Sequence, residues 1–98
     1  MSFSPEKVQR VWEKGTVPIR DSAHEWRKDE CGAWIQRKSY GKTDTIYGWE
    51  VDHIKPKAQG GTDDISNLRP LQWENNRAKD AGRLVCVVRS QGNQNVRK

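Results

Sequence analysis

An α+β fold, with helices and short strands sharing one small domain, is what this sequence predicts. Three observations carry that expectation. Apolar residues near the N-terminus recur at helical spacing. Over residues 46–54 they alternate at strand spacing. A β-branched run, "RLVCVV", lies near the C-terminus. Ninety-eight residues suit a single domain, and no internal repeat divides them. A hydrophobic content of 33% predicts a thin core. Five tryptophans enlarge it, since each can bury roughly 150–250 Å².

The elements follow in chain order. In "SPEKVQRVWEKG", Ser4 serves as N-cap, Pro5 suits the first turn and Gly15 stops the helix. Val8, Val11 and Trp12 form its apolar stripe. "TVPIRDSAHEWRKDE" has no period and predicts no element. "CGAWIQRKSYG" alternates Ala33, Ile35 and Arg37 with Trp34, Gln36 and Lys38, a strand pattern, and "GKTDT" reads as a polar turn. The clearest strand is "IYGWEVDHI", with Tyr47, Trp49, Val51 and His53 on one face and Gly48, Glu50 and Asp52 on the other; it should end near Pro56. "KAQGGTDD" must be a loop, and "ISNLRPL" a turn followed by a brief strand. "QWENNRAKDAG" suits a helix ended by Gly82, with Lys79 near its C-terminus. "RLVCVV" reads as a final strand, and residues 90–98 as a frayed tail.

The net charge of +5 and a pI near 9.5 favour a polyanionic partner: DNA, RNA or an acidic membrane surface. The N-terminus has no apolar signal segment and no run approaches membrane-spanning length, so a cytoplasmic protein is expected. Cys31 and Cys86 form no C-x-x-C pair and are expected to be buried thiols in a reducing compartment rather than a bridge.

The run "WEVDHIKPKAQGGTDDISNLRPLQWENNRAK" gathers Asp52-His53, Gly60-Gly61, Asn67-Leu68 and Asn76-x-x-Lys79 in order. This set, carried by "EVDHIKP", "GGTDDISNL" and "NRAK", resembles the HNH endonucleases, whose active site is the ββα-metal motif. The resemblance implies an α+β fold with a ββα-metal core at about residues 47–82, wrapped by an N-terminal helix and additional short strands. It implies a metal-dependent endonuclease acting on DNA, with RNA an alternative substrate. His53 is then the general base, Asn67 braces the active-site loop and orients the histidine, and Asp52 and Asn76 hold the metal. Products carry 5′-phosphate and 3′-hydroxyl ends.

The chemistry suits these residue types. Phosphodiester hydrolysis needs a group that takes a proton from water near neutral pH, which histidine does. It also needs positive charge near the leaving oxygen, which a hard cation on oxygen ligands supplies. Asn76 stands where the family often has histidine, so an amide oxygen replaces a ring nitrogen and magnesium or manganese is favoured over zinc or nickel. The C-x-x-C pairs that many members carry are missing, so no structural zinc is expected. Lys55, Lys57, Arg69, Arg77 and Lys79 border the site as candidate phosphate contacts.

Some assignments stay conditional at this level. Asp52 and His53 are strand neighbours and share one centre only if the strand ends or twists there. Asn75 competes with Asn76, and the N-x-x-K pattern selects Asn76 because Lys79 follows three residues later on the same helical face. Glu50 reads as a solvent-facing acid or a salt bridge to a nearby lysine, and His24 as surface or structural. With no recognition module and no dimer element visible, a monomer nicking duplex DNA with low sequence specificity is expected. A nucleic-acid-binding module with an inactive site is the alternative, and a zinc-binding adaptor a remoter one.

Overall fold

Helix formation at the N-terminus follows from a cap and a stripe. In the computed structural model, which describes residues 3–97, α1 spans Pro5–Trp12 and the Ser4 side chain accepts the Lys7 N–H. Val8, Val11 and Trp12 are buried and pack with Ile35, Trp49 and Leu68 to make the apolar core. The Trp12 and Trp49 rings lie 5.2 Å apart. Trp12 Nε1 donates to the Ala23 carbonyl, so its polar atom is not stranded by burial.

The aperiodic segment after α1 contains a 3₁₀ turn, Arg20–Ser22, and a strand, β1 (Trp26–Lys28). β1 pairs antiparallel with β2 (Trp34–Gln36). β2 is short because the chain turns away at once into a second 3₁₀ turn, Arg37–Ser39. The next strand, β3 (Trp49–His53), begins later than alternation suggests. At Gly48 the chain passes so close to the Lys42 carbonyl that a Cβ would sit 1.9 Å from its oxygen, which only glycine permits.

β3 pairs antiparallel with β4 (Leu68–Gln72), in register from Trp49↔Gln72 to His53↔Leu68. α2 (Trp73–Arg77) follows directly, and the Gln72 side chain caps it by accepting the Glu74 and Asn75 N–H groups. This helix is shorter than expected. Asp80 and Arg83 exchange backbone hydrogen bonds, and Ala81 and Gly82 take positive φ values of 52° and 86°, which closes a turn instead of a further helical turn. Lys79 therefore lies beyond the helix rather than on its face.

The C-terminal segment corrects two expectations. Only Val88 of "RLVCVV" is in a strand, because Val87 and Val88 give their N–H groups to the Asn75 side chain. Residues 90–97 are not a frayed tail. β5 (Val88–Gln91) and β6 (Gln94–Arg97) form an antiparallel hairpin, with Gly92 in its turn at φ 63°; Lys98 lies outside the described residues. Asn95, 8% exposed, fastens this hairpin to β2. Its Oδ1 accepts the Trp34 N–H and its Nδ2 donates to the Trp34 and Ile46 carbonyls.

Among the described residues the strands form three separate sheets of two strands each. The apolar core joins β2 to β3 and β4 through Ile35, Trp49 and Leu68, and polar links add to it. Asp29 is 3% exposed. Its Oδ1 accepts the Cys31 and Ala33 N–H groups at 3.0 and 2.8 Å, and its Oδ2 accepts the Gln72 N–H and Asn75 Nδ2 at 2.9 and 3.1 Å. Burial raises its pKa, and the four hydrogen bonds oppose that shift.

The expectation of free thiols is also overturned. Cys31 and Cys86 form a disulfide with Cα atoms 5.5 Å apart. Spacing gave no sign of it, because the Asp29 turn and Asn75 bring the two segments together from a distance in sequence. Disulfides persist in oxidising compartments, so the bridge does not fit the reducing surroundings expected for these two cysteines. Among the described residues no helix is long and apolar enough to cross a membrane.

The bridge closes a loop of sequence separation 55, so it should limit the unfolded chain strongly. Replacing both cysteines by alanine should lower the unfolding free energy by about 4 kcal/mol on the chain-entropy estimate. Urea melts of the double variant measure this. A loss below about 1 kcal/mol would show that the polar links alone hold the two segments.

Candidate active site

The ladder of β3 and β4 sends alternate side chains to opposite faces, and the candidate residues divide accordingly. Glu50 and Asp52 leave β3 on the face that meets α2. Asp52 is 4% exposed. Arg69, its cross-strand partner, donates Nε to Oδ2 at 2.8 Å, and Lys79 Nζ reaches Oδ1 at 2.5 Å. The same ammonium donates to the His53 carbonyl at 2.8 Å. Two cationic side chains thus compensate one buried carboxylate.

Arg69 departs from its expected role. It is 9% exposed, and besides Asp52 it binds Glu30 at 3.2 Å. It is a buried structural cation, not a surface phosphate contact. Lys55, Lys57 and Arg77 are exposed. Glu50 is salt-bridged, but to Arg77 rather than to a lysine, at 2.9 Å.

Neighbouring asparagines on α2 have opposite surroundings. Asn75 is fully buried and uses its whole hydrogen-bonding capacity: Nδ2 donates to Asp29 and to the Val88 carbonyl, while Oδ1 accepts from Val87 and Val88. No lone pair is left for a ligand role. Asn76 donates Nδ2 to Glu50 at 2.9 Å. Among the described residues its Oδ1 accepts no hydrogen bond. Glu50 and Asn76 line an open cleft of about 370 Å³ with Phe3, Tyr40 and Val51.

His53 points the other way. β3 keeps its antiparallel register through the His53↔Leu68 pair, where the strand ends. Asp52 and His53 consequently share no face. The imidazole packs against Phe3 with ring centroids 5.9 Å apart, and its Nε2 lies 2.7 Å from Asp63 Oδ1. Asp63 was not singled out from the sequence, although it follows the glycine pair in "GGTDD". The hydrogen bond to His53, and then the nearby Lys57 ammonium at 3.5 Å, hold its carboxyl below the usual range.

The loop that delivers Asp63 is tightly closed. Asn67 Oδ1 accepts the Lys55 N–H at 2.8 Å, and its Nδ2 donates to the Lys55 and Thr62 carbonyls at 3.1 and 2.8 Å. Gly60 takes φ 92°. At Gly61 a Cβ would lie 1.8 Å from the Lys55 carbonyl oxygen. The glycine pair and Asn67 together force the return of the chain to the His53 strand end. His24 is exposed and apart from this cluster.

The donors on the α2 side are oxygens, from the Glu50 and Asp52 carboxylates and the Asn76 amide, and their chemistry suits a hard divalent cation. Among the described residues no three His, Cys, Asp or Glu side chains gather as a metal cluster. Protein ligands alone therefore do not complete a coordination shell, and both Asp52 oxygens are already paired with cations.

The two asparagines give a direct contrast. Asn75→Ala leaves several buried groups without partners and should cost about 3 kcal/mol or more, whereas Asn76→Ala removes one hydrogen bond and should cost about 1 kcal/mol or less. Denaturant melts of both variants check this, and equal losses would contradict the division between them.

Compared with models of known families, the chain matches the HNH endonuclease family over residues 30–82. No curated protein and no solved structure matches it. The matched stretch runs from the Asp29–Cys31 turn through β3, the glycine loop, β4 and α2, so it contains every candidate site residue and more than half of the 98 residues. The chain belongs to the HNH endonuclease family.

Proposed function

We propose that this protein is a divalent-metal-dependent endonuclease that nicks duplex DNA with little sequence preference. The observation that supports it best is that one unit, β3–loop–β4–α2 with the turn that follows it, carries Asp52, His53, Asn67, Asn76 and Lys79, within the stretch matched by the nuclease family. The net charge of +5 adds a general attraction to phosphates.

In this reading His53 takes a proton from the attacking water, whose oxygen bonds to phosphorus while the P–O3′ bond breaks. The leaving oxygen acquires a proton from solvent, giving 5′-phosphate and 3′-hydroxyl ends. Asp52 and Asn76 would hold the cation, with magnesium or manganese matching their oxygen donors. Such an ion stabilises charge on the phosphoryl and leaving oxygens. Holding it requires Lys79 to give up Asp52, and the freed ammonium then becomes available to a phosphate. Asp52 and His53 stand in the last two ladder pairs and leave opposite faces of β3, so a phosphate engaging both must lie over the strand end. Lys79 already spans that end, between the Asp52 carboxylate and the His53 carbonyl. Lys55, Lys57 and Arg77 supply exposed charge beside it.

Supercoiled plasmid tests this. One His53, Asp52 and Asn76 per chain make one site, which cuts one strand at a time, so a monomer should convert plasmid first to open circle and only later to linear form. EDTA should stop the reaction. His53→Ala should lower turnover by about 10²–10⁴-fold. Near-wild-type cleavage by that variant would remove His53 from the role of base. Linear product from the outset at dilute enzyme would point to a two-fold dimer.

Metal binding is checked separately. Asp52→Asn and Asn76→Ala should each weaken manganese affinity in calorimetric titration, while His53→Ala leaves it nearly unchanged. Unaltered affinity in both ligand variants would move the cation elsewhere, with Glu50 the nearest remaining carboxylate.

A further inference from the structure

We propose that Asp63 is a positioning residue for the nuclease reaction: it holds the Nε2–H of His53 and leaves Nδ1 as the nitrogen that accepts the proton of water. The role rests on the nuclease reading above, and it assigns a residue that the motif residues do not include.

The geometry carries it. Asp63 Oδ1 and His53 Nε2 are 2.7 Å apart, a hydrogen-bond distance. An ionised carboxylate only accepts, so the shared proton sits on Nε2. A neutral imidazole with its proton there has its lone pair on Nδ1. The ring is also limited by Phe3 packed against it. Asp63 itself has little freedom. Its carbonyl accepts the Lys7 ammonium, and the preceding carbonyl of Thr62 is pinned by Asn67. Gly61 brings the loop against Lys55 with no space for a side chain. The loop therefore presents a fixed acceptor to the histidine from across a ten-residue excursion. A surface ion pair at this site would need no such bracing.

Removing the acceptor lets the ring exchange tautomers and rotate, without touching substrate. Outer partners of this kind are worth about 10–100-fold in activity. In the full chain, Asp63→Ala should lower kcat by about that factor. The KM for plasmid should stay unchanged or fall, because the variant removes a negative charge from a phosphate-binding surface. Asp63→Asn keeps an oxygen that accepts from Nε2–H and should recover most of the rate. Nitrogen-15 NMR of the histidines gives a readout independent of cleavage: neutral His53 should carry its proton on Nε2 in the wild type and become a mixture of tautomers in Asp63→Ala.

Four results overturn the proposal: wild-type kcat in Asp63→Ala, a loss confined to KM, an Asn variant as slow as the Ala variant, or a His53 tautomer that ignores the substitution. If wild-type protein cleaves no DNA with magnesium or manganese, the nuclease reading falls and the positioning role falls with it. Cleavage that needs His53 but not Asp63 overturns this proposal alone.

Discussion

Everything near the site depends on one buried polar contact, the hydrogen bond from Asn75 Nδ2 to the Asp29 carboxylate. Asp29 sits in the turn between β1 and β2 and also accepts from Gln72 at the end of β4. Asn75 continues the link to Val87 and Val88, beside the Cys31–Cys86 bridge. Three separate hairpins are thereby fixed to one another where the apolar core does not reach. The contact also sets the rotation of α2. Successive helical residues are turned by about 100°, so once Asn75 is committed inward, Asn76 must point elsewhere, and it points to Glu50 and the cleft.

A second constraint lies on Asp52. A carboxylate this buried carries a large desolvation cost, which opposite charges must offset. Arg69 and Lys79 do so from two sides. Arg69 comes from the neighbouring strand and is held again by Glu30, so its position is fixed by the ladder. Lys79 comes from the irregular segment after α2 and reaches both the Asp52 carboxylate and the His53 carbonyl. The pair is thus asymmetric in origin: one cation comes from the ladder and the other from the segment after α2. The early end of α2 matters here, because a longer helix would have carried Lys79 on its own face.

Local pattern made much of this fold legible. The α1 cap and stripe lie at Ser4, Val8, Val11 and Trp12, and the parity of β3 put Glu50 and Asp52 opposite Trp49, Val51 and His53. In both cases the period of the backbone is the period of the residues. What escaped depends on partners distant in sequence. Asn95 looks like a residue of a polar tail until Trp34 and Ile46 are beside it. "RLVCVV" has strand composition, yet its N–H groups are taken by a side chain on α2. Cys31 and Cys86 meet through contacts between segments distant in sequence, among them Asn75 with Asp29 and Ser90 with Gly32. At the site, residue types and order could be read, but Arg69 could not be told from its exposed neighbours, and Asp63 had no feature beyond following two glycines.

A small apolar content explains why these errors cluster on polar residues. Beside its thin apolar core, the protein is held by buried Asp, Asn and Arg, the same residue types that bind phosphates and hard cations. Type alone therefore cannot separate scaffold from site. Hydrogen-bonding capacity does. Asn75 has none left, and Asp29 accepts four hydrogen bonds from fixed donors. Asn76 keeps an oxygen lone pair, and Asp52 holds a lysine from the segment after α2. His53 gives one ring nitrogen to Asp63 and keeps the other. The groups with capacity left over lie on the unit of β3, glycine loop, β4 and α2, and their counterparts with none fasten that unit to the rest of the chain.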